Sequence, residues 1–279
     1  MDNTTRTELR KKAINTRITA LNMVNRAQSG HIGGSFSVAD ILTVLYHKVM
    51  NVDPQNPRWV GRDRLVMSKG HCTPALYAVL AQRGFFPEAE LATFRETTSR
   101  LSGHAEMNVP GVDMSTGSLG QGLSAACGMA LAGKLDNADY YVYSIHGDGE
   151  LQEGMIWEAA MTAAKYQLDN LVAIIDDNKL QLDGPTAEVM PLYSLEDKFT
   201  AFGWHVITCD GHDLEALDAA LMEAKGVKGK PVAIIAETVK GKGVSFMENN
   251  VHWHGNVPSA EEYEKALLEL QAQLQEVEG

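Results

Sequence analysis

Gly147-Asp148-Gly149 places two glycines around an acid, between an apolar stretch ending at Ile145 and a helix-like stretch beginning near Ile156. Glycines permit a tight turn and close backbone approach, and a helix start offers unpaired N–H groups to an anion. The natural guest is a ligand carrying phosphate. A bare aspartate beside phosphate would repel it, so the arrangement calls for a divalent cation between them, with Asp148 as a ligand. Asp177-Asn178-Lys179 follows after the length of one helix plus one strand, which brings Asn178 to the neighbouring strand end of a parallel sheet. Magnesium takes octahedral oxygen ligands. The Asp148 carboxylate, the Asn178 amide oxygen, the backbone carbonyl near Leu180, two diphosphate oxygens and a water complete such a shell. Alone, Gly-Asp-Gly reads as an ordinary turn; the acid-amide pair at the right separation tips the reading to a metal site.

Holding these residues takes alternating strands and helices. Leu9, Ala13, Ile14, Leu21 and Val24 recur at helical spacing, which predicts a helix over 7–28 with Gly30 as its stop. Ser37-Val-Ala-Asp40 resembles a capping box, so a second helix is expected to begin near Val38 and run to Met50. A short buried strand is expected over 64–67, and helices over 74–83 and 87–95. The stretch 97–122 is dense in Gly, Ser and Thr and too long for an idle connection, so it reads as a binding loop. Beyond it, helices over 123–134, 156–166, 195–202 and 214–224 alternate with strands over 140–145, 171–176, 205–209 and 232–237. Continuous apolar strands such as Leu171-Val-Ala-Ile-Ile175 imply a parallel sheet covered on both faces, the doubly wound α/β class. Ser259-Ala-Glu-Glu262 is a capping box opening a C-terminal helix over about 259–275, and one domain is expected to span 1–279.

The 279 residues can bury a large core, and 44% hydrophobic composition supplies it. With 24 basic and 36 acidic residues the net charge is -12, which disfavours a nucleic-acid partner. Cys72, Cys127 and Cys209 are far apart and lack CxxC spacing, so neither a disulfide framework nor structural zinc is suggested. A reducing cytosol fits. The polar N-terminus and the lack of a long apolar run predict a cytoplasmic protein with no membrane partner.

Five further segments carry a resemblance: Gly30-His-Ile-Gly-Gly-Ser35, Met67-Ser-Lys-Gly-His71, Gly103-His-Ala-Glu106, Ser115-Thr-Gly-Ser-Leu-Gly-Gln-Gly122 and Trp253-His254-Gly255. With Gly147-Asp148-Gly149 and Asp177-Asn178, and in this order, the chain resembles the N-terminal part of transketolase over nearly its whole length. The resemblance implies a thiamin diphosphate-binding, PP-type α/β domain. By it, Asp148, Asn178 and the Leu180 carbonyl are the ligands of Mg2+, or of Ca2+ or Mn2+. His71, Gly117, Ser118, Leu119, Asp148, Gly149, Glu150, Asn178 and His254 are the implied cofactor-binding positions. His31, His71, His104 and His254 match the family's active-site histidines, a sensible choice because imidazoles can both orient sugar hydroxyls and move their protons. Glu153 and Glu158 resemble acids at a subunit contact, or else are an exposed helix face.

Other residues read more plainly. His47, His146, His205 and His212 are expected to be structural, with His146 near enough to the metal loop to touch cofactor. His252 and His254 lack a nearby third zinc ligand. Cys72 beside His71 is a packing residue rather than a nucleophile. Lys240 and Lys242 could reach an anion, but solvated loop charges are the favoured reading.

Full-length transketolases carry a second α/β domain, which holds the aminopyrimidine ring, and a C-terminal domain. The resemblance therefore implies the N-terminal subunit of a split enzyme, joined to a C-terminal transketolase subunit (Pyr plus C-terminal domain) in an α2β2-like assembly. Gly-His-Ile in place of Gly-His-Pro, and a Trp before His254, look like split forms. The implied reaction moves a two-carbon ketol unit from a ketose, expected to be a small sugar phosphate, to an aldose. The alternatives are a non-catalytic cofactor-binding or regulatory subunit, or the PP subunit of another thiamin diphosphate enzyme such as a deoxyxylulose phosphate synthase-like one. Ser68-Lys-Gly-His71 and Gly103-His-Ala-Glu106 favour transketolase.

Overall fold

Strands that are apolar on both faces must lie between two layers, and the computed structural model, which describes residues 1–278, places them there. Strands β1 (Arg64–Met67), β2 (Val142–Gly147), β3 (Leu171–Asp177), β6 (His205–Asp210) and β7 (Val232–Glu237) form one parallel sheet in the order β1-β2-β3-β7-β6. The short strands β4 (Leu180–Gln181) and β5 (Gly184–Pro185) make a separate antiparallel pair just after β3. Along β3, Val172 and Ile174 join a core with α2 (Ile32–Val44), α3 (Thr73–Arg83) and α8 (Leu214–Gly226). Leu171, Ala173 and Ile175 face the opposite way, toward α4 (Gln121–Leu135), α5 (Gly154–Lys165) and α7 (Leu195–Ala201). The short α6 (Thr186–Val189) follows β5. A third apolar cluster ties α1 (Asn3–Ala27) and α2 to the C-terminal α9 (Ala260–Glu278) through Leu21, Phe36, Val244, Trp253 and Leu270. The capping box of α9 is closed in both directions: Ser259 N–H donates to Glu262 Oε2 at 2.8 Å and Glu262 N–H to Ser259 Oγ at 3.3 Å.

Two expectations fail, each for a physical reason. Helix α2 begins at Ile32, not near Val38, because Gly33 and Gly34 are helical residues whose missing Cβ atoms make room for neighbours. A Cβ on Gly33 would lie 2.7 Å from the Trp253 carbonyl oxygen, and one on Gly34 would lie 2.9 Å from Cys72 Sγ. Ser37 is accordingly not a cap but a buried residue inside the helix, donating to Asp176 Oδ2 at 2.6 Å. The helix expected over 87–95 is a 3-10 segment, Glu88–Thr93, and the chain then turns through Arg95 in the left-handed region (φ 61°). Among the described residues no helix is long and apolar enough to cross a membrane.

Candidate active site

The register of the sheet sets the site. Gly147 pairs with Asp176 across β2 and β3, so the turn after β2 and the turn after β3 lie side by side at the carboxyl edge. Asp148 stands in the first turn, buried, with Oδ1 accepting from Gly149 N–H at 2.8 Å and Oδ2 left without any partner among the described residues. Burial, opposed by that hydrogen bond and reinforced by the nearby Asp176 and Asp177 charges, pushes its carboxyl up to about 7. Asn178 is buried in the second turn, its Oδ1 accepting from Leu180 N–H at 3.2 Å. Asp148, Asn178 and Leu180 line one cleft of ≈ 370 Å³ with Gly117, Leu119, Gly149 and Glu150. An orphaned buried carboxylate oxygen beside an amide and a carbonyl is an all-oxygen donor set of the kind a hard divalent cation takes. Among the described residues no three His, Cys, Asp or Glu side chains converge as a metal cluster, so any ion here must draw on amide, carbonyl and ligand oxygens.

The four histidines meet in the same cleft. The His31 ring centroid lies 4.9 Å from that of His71, 5.6 Å from His254 and 6.3 Å from His104, and His71 and His254 stack at 5.4 Å. Burial is the largest cause holding all four below the ordinary imidazole value: His31 at about 4, His254 at about 3, His71 far down, His104 less so. At neutral pH they are neutral imidazoles, able to donate from one nitrogen and accept at the other. Ser118 does not line this cleft; with Gly117 and His104 it lines an adjoining depression.

Three residues whose roles the sequence alone does not reveal complete the site. Lys240 is not a solvated loop charge: it is buried, and its Nζ donates to the Leu180 carbonyl at 2.8 Å and approaches His254 Nδ1 at 2.9 Å. Burial and the Lys69 charge lower its ammonium to about 8. Its loop is pinned by Gly241 (φ 78°), where a Cβ would meet the Met247 carbonyl oxygen at 2.3 Å. Lys242, by contrast, is partly exposed and 3.6 Å from Glu248. Lys69 lines the cleft, buried against Asp176, whose carboxylate also takes bonds from Ser37 and Thr238. Its signal in the sequence is its place in Ser68-Lys-Gly-His71, two residues before a site histidine. Glu150 lies in the cleft wall with its carboxylate turned to the scaffold, accepting from Ser68 Oγ, from Gly120 N–H at 2.9 Å and from Gly147 N–H at 3.2 Å. It thereby ties the turn after β2 to the loop before α4.

Residues 9–273 match the family described as transketolase, thiamine diphosphate binding domain. The chain belongs to that family. It is 48% identical over 256 residues to a subunit of the apulose-4-phosphate transketolase of Phocaeicola vulgatus, covering 92% of this chain and 91% of that protein. It is 47% identical over 265 residues to a 6-deoxy-6-sulfo-D-fructose transketolase subunit of a Clostridium species, covering 95% and 96%. Against human transketolase it is 44% identical over 268 residues, 96% of this chain but 42% of the human protein. The crystal structure of transketolase from Campylobacter jejuni superposes with a TM-score of 0.89 at 34% identity, covering 96% of this chain and 45% of that one. The chain thus spans somewhat under half the length of such full-length transketolases.

Within this transketolase-family domain the remaining residues sort by burial. Cys72 is buried with its thiol pushed up by that burial, which suits packing and not nucleophilic attack. His146 is buried, with Nε2 2.9 Å from Ser144 Oγ and Nδ1 3.6 Å from Glu150, and is not in the cleft wall. His252 is exposed and bonded to Asn256, away from His254 in the cleft. Glu153 and Glu158 are both exposed.

Proposed function

We propose that this chain is the N-terminal subunit of a two-chain transketolase, moving a two-carbon ketol unit from a ketose phosphate to an aldose. Its residues 1–279 would form a single diphosphate-binding domain working in the cytoplasm with a Pyr-domain partner in an α2β2-like assembly. Support for the two-chain reading comes from the relatives named as subunits, which match over nearly their whole length.

The observation that carries the cofactor reading is the partnerless Asp148 Oδ2, buried beside Asn178 and the Leu180 carbonyl. Those three would hold Mg2+, or Ca2+ or Mn2+, and through it the diphosphate of thiamin diphosphate; Gly117, Leu119 and Gly149, which line the same cleft, would give its phosphates close backbone approach, with Ser118 in the adjoining depression. Glu150 would act by fixing these turns. Thiamin diphosphate, when bound, supplies the carbon nucleophile and the electron sink for ketol transfer. The rest falls to side chains of this chain. Asp148, whose carboxyl burial pushes up, would be kept ionised by a cation held there, and Lys240, bonded to the Leu180 carbonyl, would add a positive charge on the same side of the cleft. His31, His71, His104 and His254, neutral and mutually close, hydrogen-bond sugar hydroxyls and carry protons between them.

Calorimetric titration of thiamin diphosphate into the assembled two-chain complex is the test. Saturable binding that needs magnesium, and that fails in Asp148→Asn, is expected together with ketol transfer that requires both chains. No heat with or without magnesium sinks the cofactor reading. Full turnover by this chain alone sinks the two-chain one. Unaltered turnover in His71→Ala and His254→Ala would favour a regulatory subunit.

A further inference from the structure

Where β6 ends against β7, a side chain takes over from the backbone. The parallel ladder pairs Asp210 with Glu237, and Gly211 N–H still donates to the Glu237 carbonyl at 2.7 Å. The chain then turns into α8. The next donor on the β7 side, Val239 N–H, is met not by a carbonyl but by Nε2 of His212, at 2.8 Å. Gly211 permits this close approach: a Cβ there would lie 2.4 Å from Thr238 Cγ2 and 3.0 Å from the Glu237 carbonyl oxygen.

The other ring nitrogen is fixed as firmly. Nδ1 lies 2.7 Å from Asp40 Oδ2 on α2, and His212 N–H donates to Asp210 Oδ1 at 2.8 Å. Asp40 is buried, and Arg17 of α1 donates to both of its oxygens. Burial raises the Asp40 carboxyl, but the Arg17 charge and the His212 bond outweigh it and hold it at about 2, so it is an ionised acceptor. A backbone N–H at one nitrogen demands a lone pair and a carboxylate at the other demands a proton, so both neighbours select the same tautomer, with its proton on Nδ1 and none on Nε2.

The segment so held carries a buried cation of the cleft. Lys240 follows Val239 directly, and its Nζ reaches the Leu180 carbonyl at 2.8 Å and His254 Nδ1 at 2.9 Å. On the far side Gly241 N–H donates to the Gly33 carbonyl at 3.0 Å. The backbone on either side of Lys240 is thus tied to α2, directly at Gly33 and through His212 at Asp40. His212 itself does not line the cleft; it lies in a separate depression with Arg17 and Asp40.

We propose that His212 is a positioning residue: by accepting the Val239 N–H it sets the backbone from which Lys240 reaches the diphosphate end of the cleft, the identity of the ligand resting on the thiamin diphosphate reading. Loss of that bond leaves the lysine in place but frees its backbone to shift, which weakens a charge-assisted contact that depends on distance and direction.

An asparagine amide ends about where Nδ1 does and a glutamine amide about where Nε2 does. His212→Asn therefore keeps a donor for Asp40 and drops the acceptor for Val239, whereas His212→Gln keeps that acceptor. Both are measured in the assembled two-chain complex. Without cofactor, amide exchange at Val239 is expected to be about 10-fold faster in His212→Asn than in wild type, and close to wild type in His212→Gln. Thiamin diphosphate titrated with magnesium is expected to bind about 5- to 10-fold more weakly to His212→Asn, with most of the affinity recovered in His212→Gln. The deciding measurement repeats His212→Asn in a Lys240→Met background. A residue that acts through Lys240 has little left to lose there, so the further loss is expected to stay within about twofold. An equal loss in both backgrounds overturns the proposal. So does His212→Gln as impaired as His212→Asn, or His212→Asn with wild-type exchange and affinity. If the wild-type complex binds no thiamin diphosphate, the cofactor reading fails while exchange at Val239 still decides whether His212 holds the Lys240 backbone.

Discussion

A buried carboxylate oxygen with no partner and four imidazoles held neutral are opposite responses to the same desolvation, and they leave opposite marks on stability. For His254 and His31 the folded values, about 3 and about 4, lie below the ordinary 6.5. The folded state therefore binds fewer protons, so the stability linked to these groups is complete above pH 6.5 and is lost as pH falls toward 4 and 3. Asp148, raised from 3.8 to about 7, pulls the other way, losing stability as pH rises across that interval. A bulk pH profile mixes the two, and a difference separates them. Urea unfolding of wild type and His254→Gln at pH 7.5 and 4.5 is expected to show the wild type losing roughly 1–2 kcal/mol relative to the variant on acidification. A pH-independent difference would mean that His254 is not desolvated in the folded chain. At this scale the juxtaposition of Asp148 and Asn178 was legible from their types and spacing, whereas the meeting of His31, His71, His104 and His254 in one cleft was implied by the resemblance to transketolase. Lys240 was not: Val-Lys-Gly-Lys-Gly looks like a solvated loop, and only the close approach at Gly241 and Gly33 buries its stem.

Among elements, α2 shows why local rules misplace a boundary. Ser37-Val-Ala-Asp40 has the local pattern of a capping box, yet Ser37 lies inside a helix that already includes Gly33 and Gly34, against which Trp253, Lys240 and Cys72 press. Gly33→Ala tests which effect wins. Helix propensity favours alanine by about 1 kcal/mol, whereas a Cβ 2.7 Å from the Trp253 carbonyl oxygen and 2.9 Å from Lys240 Cγ forces the backbone beneath His254 to move. Overpacking of this kind costs about 1–3 kcal/mol, so a net fall in Tm of a few degrees is expected, with weaker cofactor binding. A higher Tm would show that the Trp253 segment yields without cost. The sheet itself was readable because its central strands β3 and β7 are near-continuous apolar runs alternating with helical stretches, while the 3-10 segment Glu88–Thr93 was not, since its spacing imitates a helix. The α9 capping box was also readable, being a contact confined to four neighbouring residues.

For the whole molecule, the cleft holds what one end of an extended ligand needs: oxygen donors for an ion, the buried Lys69 and Lys240, glycine turns and neutral imidazoles. Around it the surface carries large apolar side chains that remain exposed, among them Leu119, Leu182, Met190 and Tyr193. A surface of that kind next to a polar site fits closure by another protein. If a partner chain completes the site, the ligand gains contacts to its other end only on assembly, and binding and assembly must be linked: whatever factor the partner adds to cofactor affinity, the cofactor adds to partner affinity. Titrating thiamin diphosphate with magnesium into this chain alone and into the complex is expected to give at least about 100-fold tighter binding in the complex, within the upper range of coupling between two sites. The dissociation constant of the two chains, measured by sedimentation with and without cofactor, should shift by the same factor. Equal cofactor affinity with and without the partner would mean that this chain already makes every contact that matters. Unequal factors in the two measurements would mean that a third species, such as a dimer of this chain, takes part in the equilibrium.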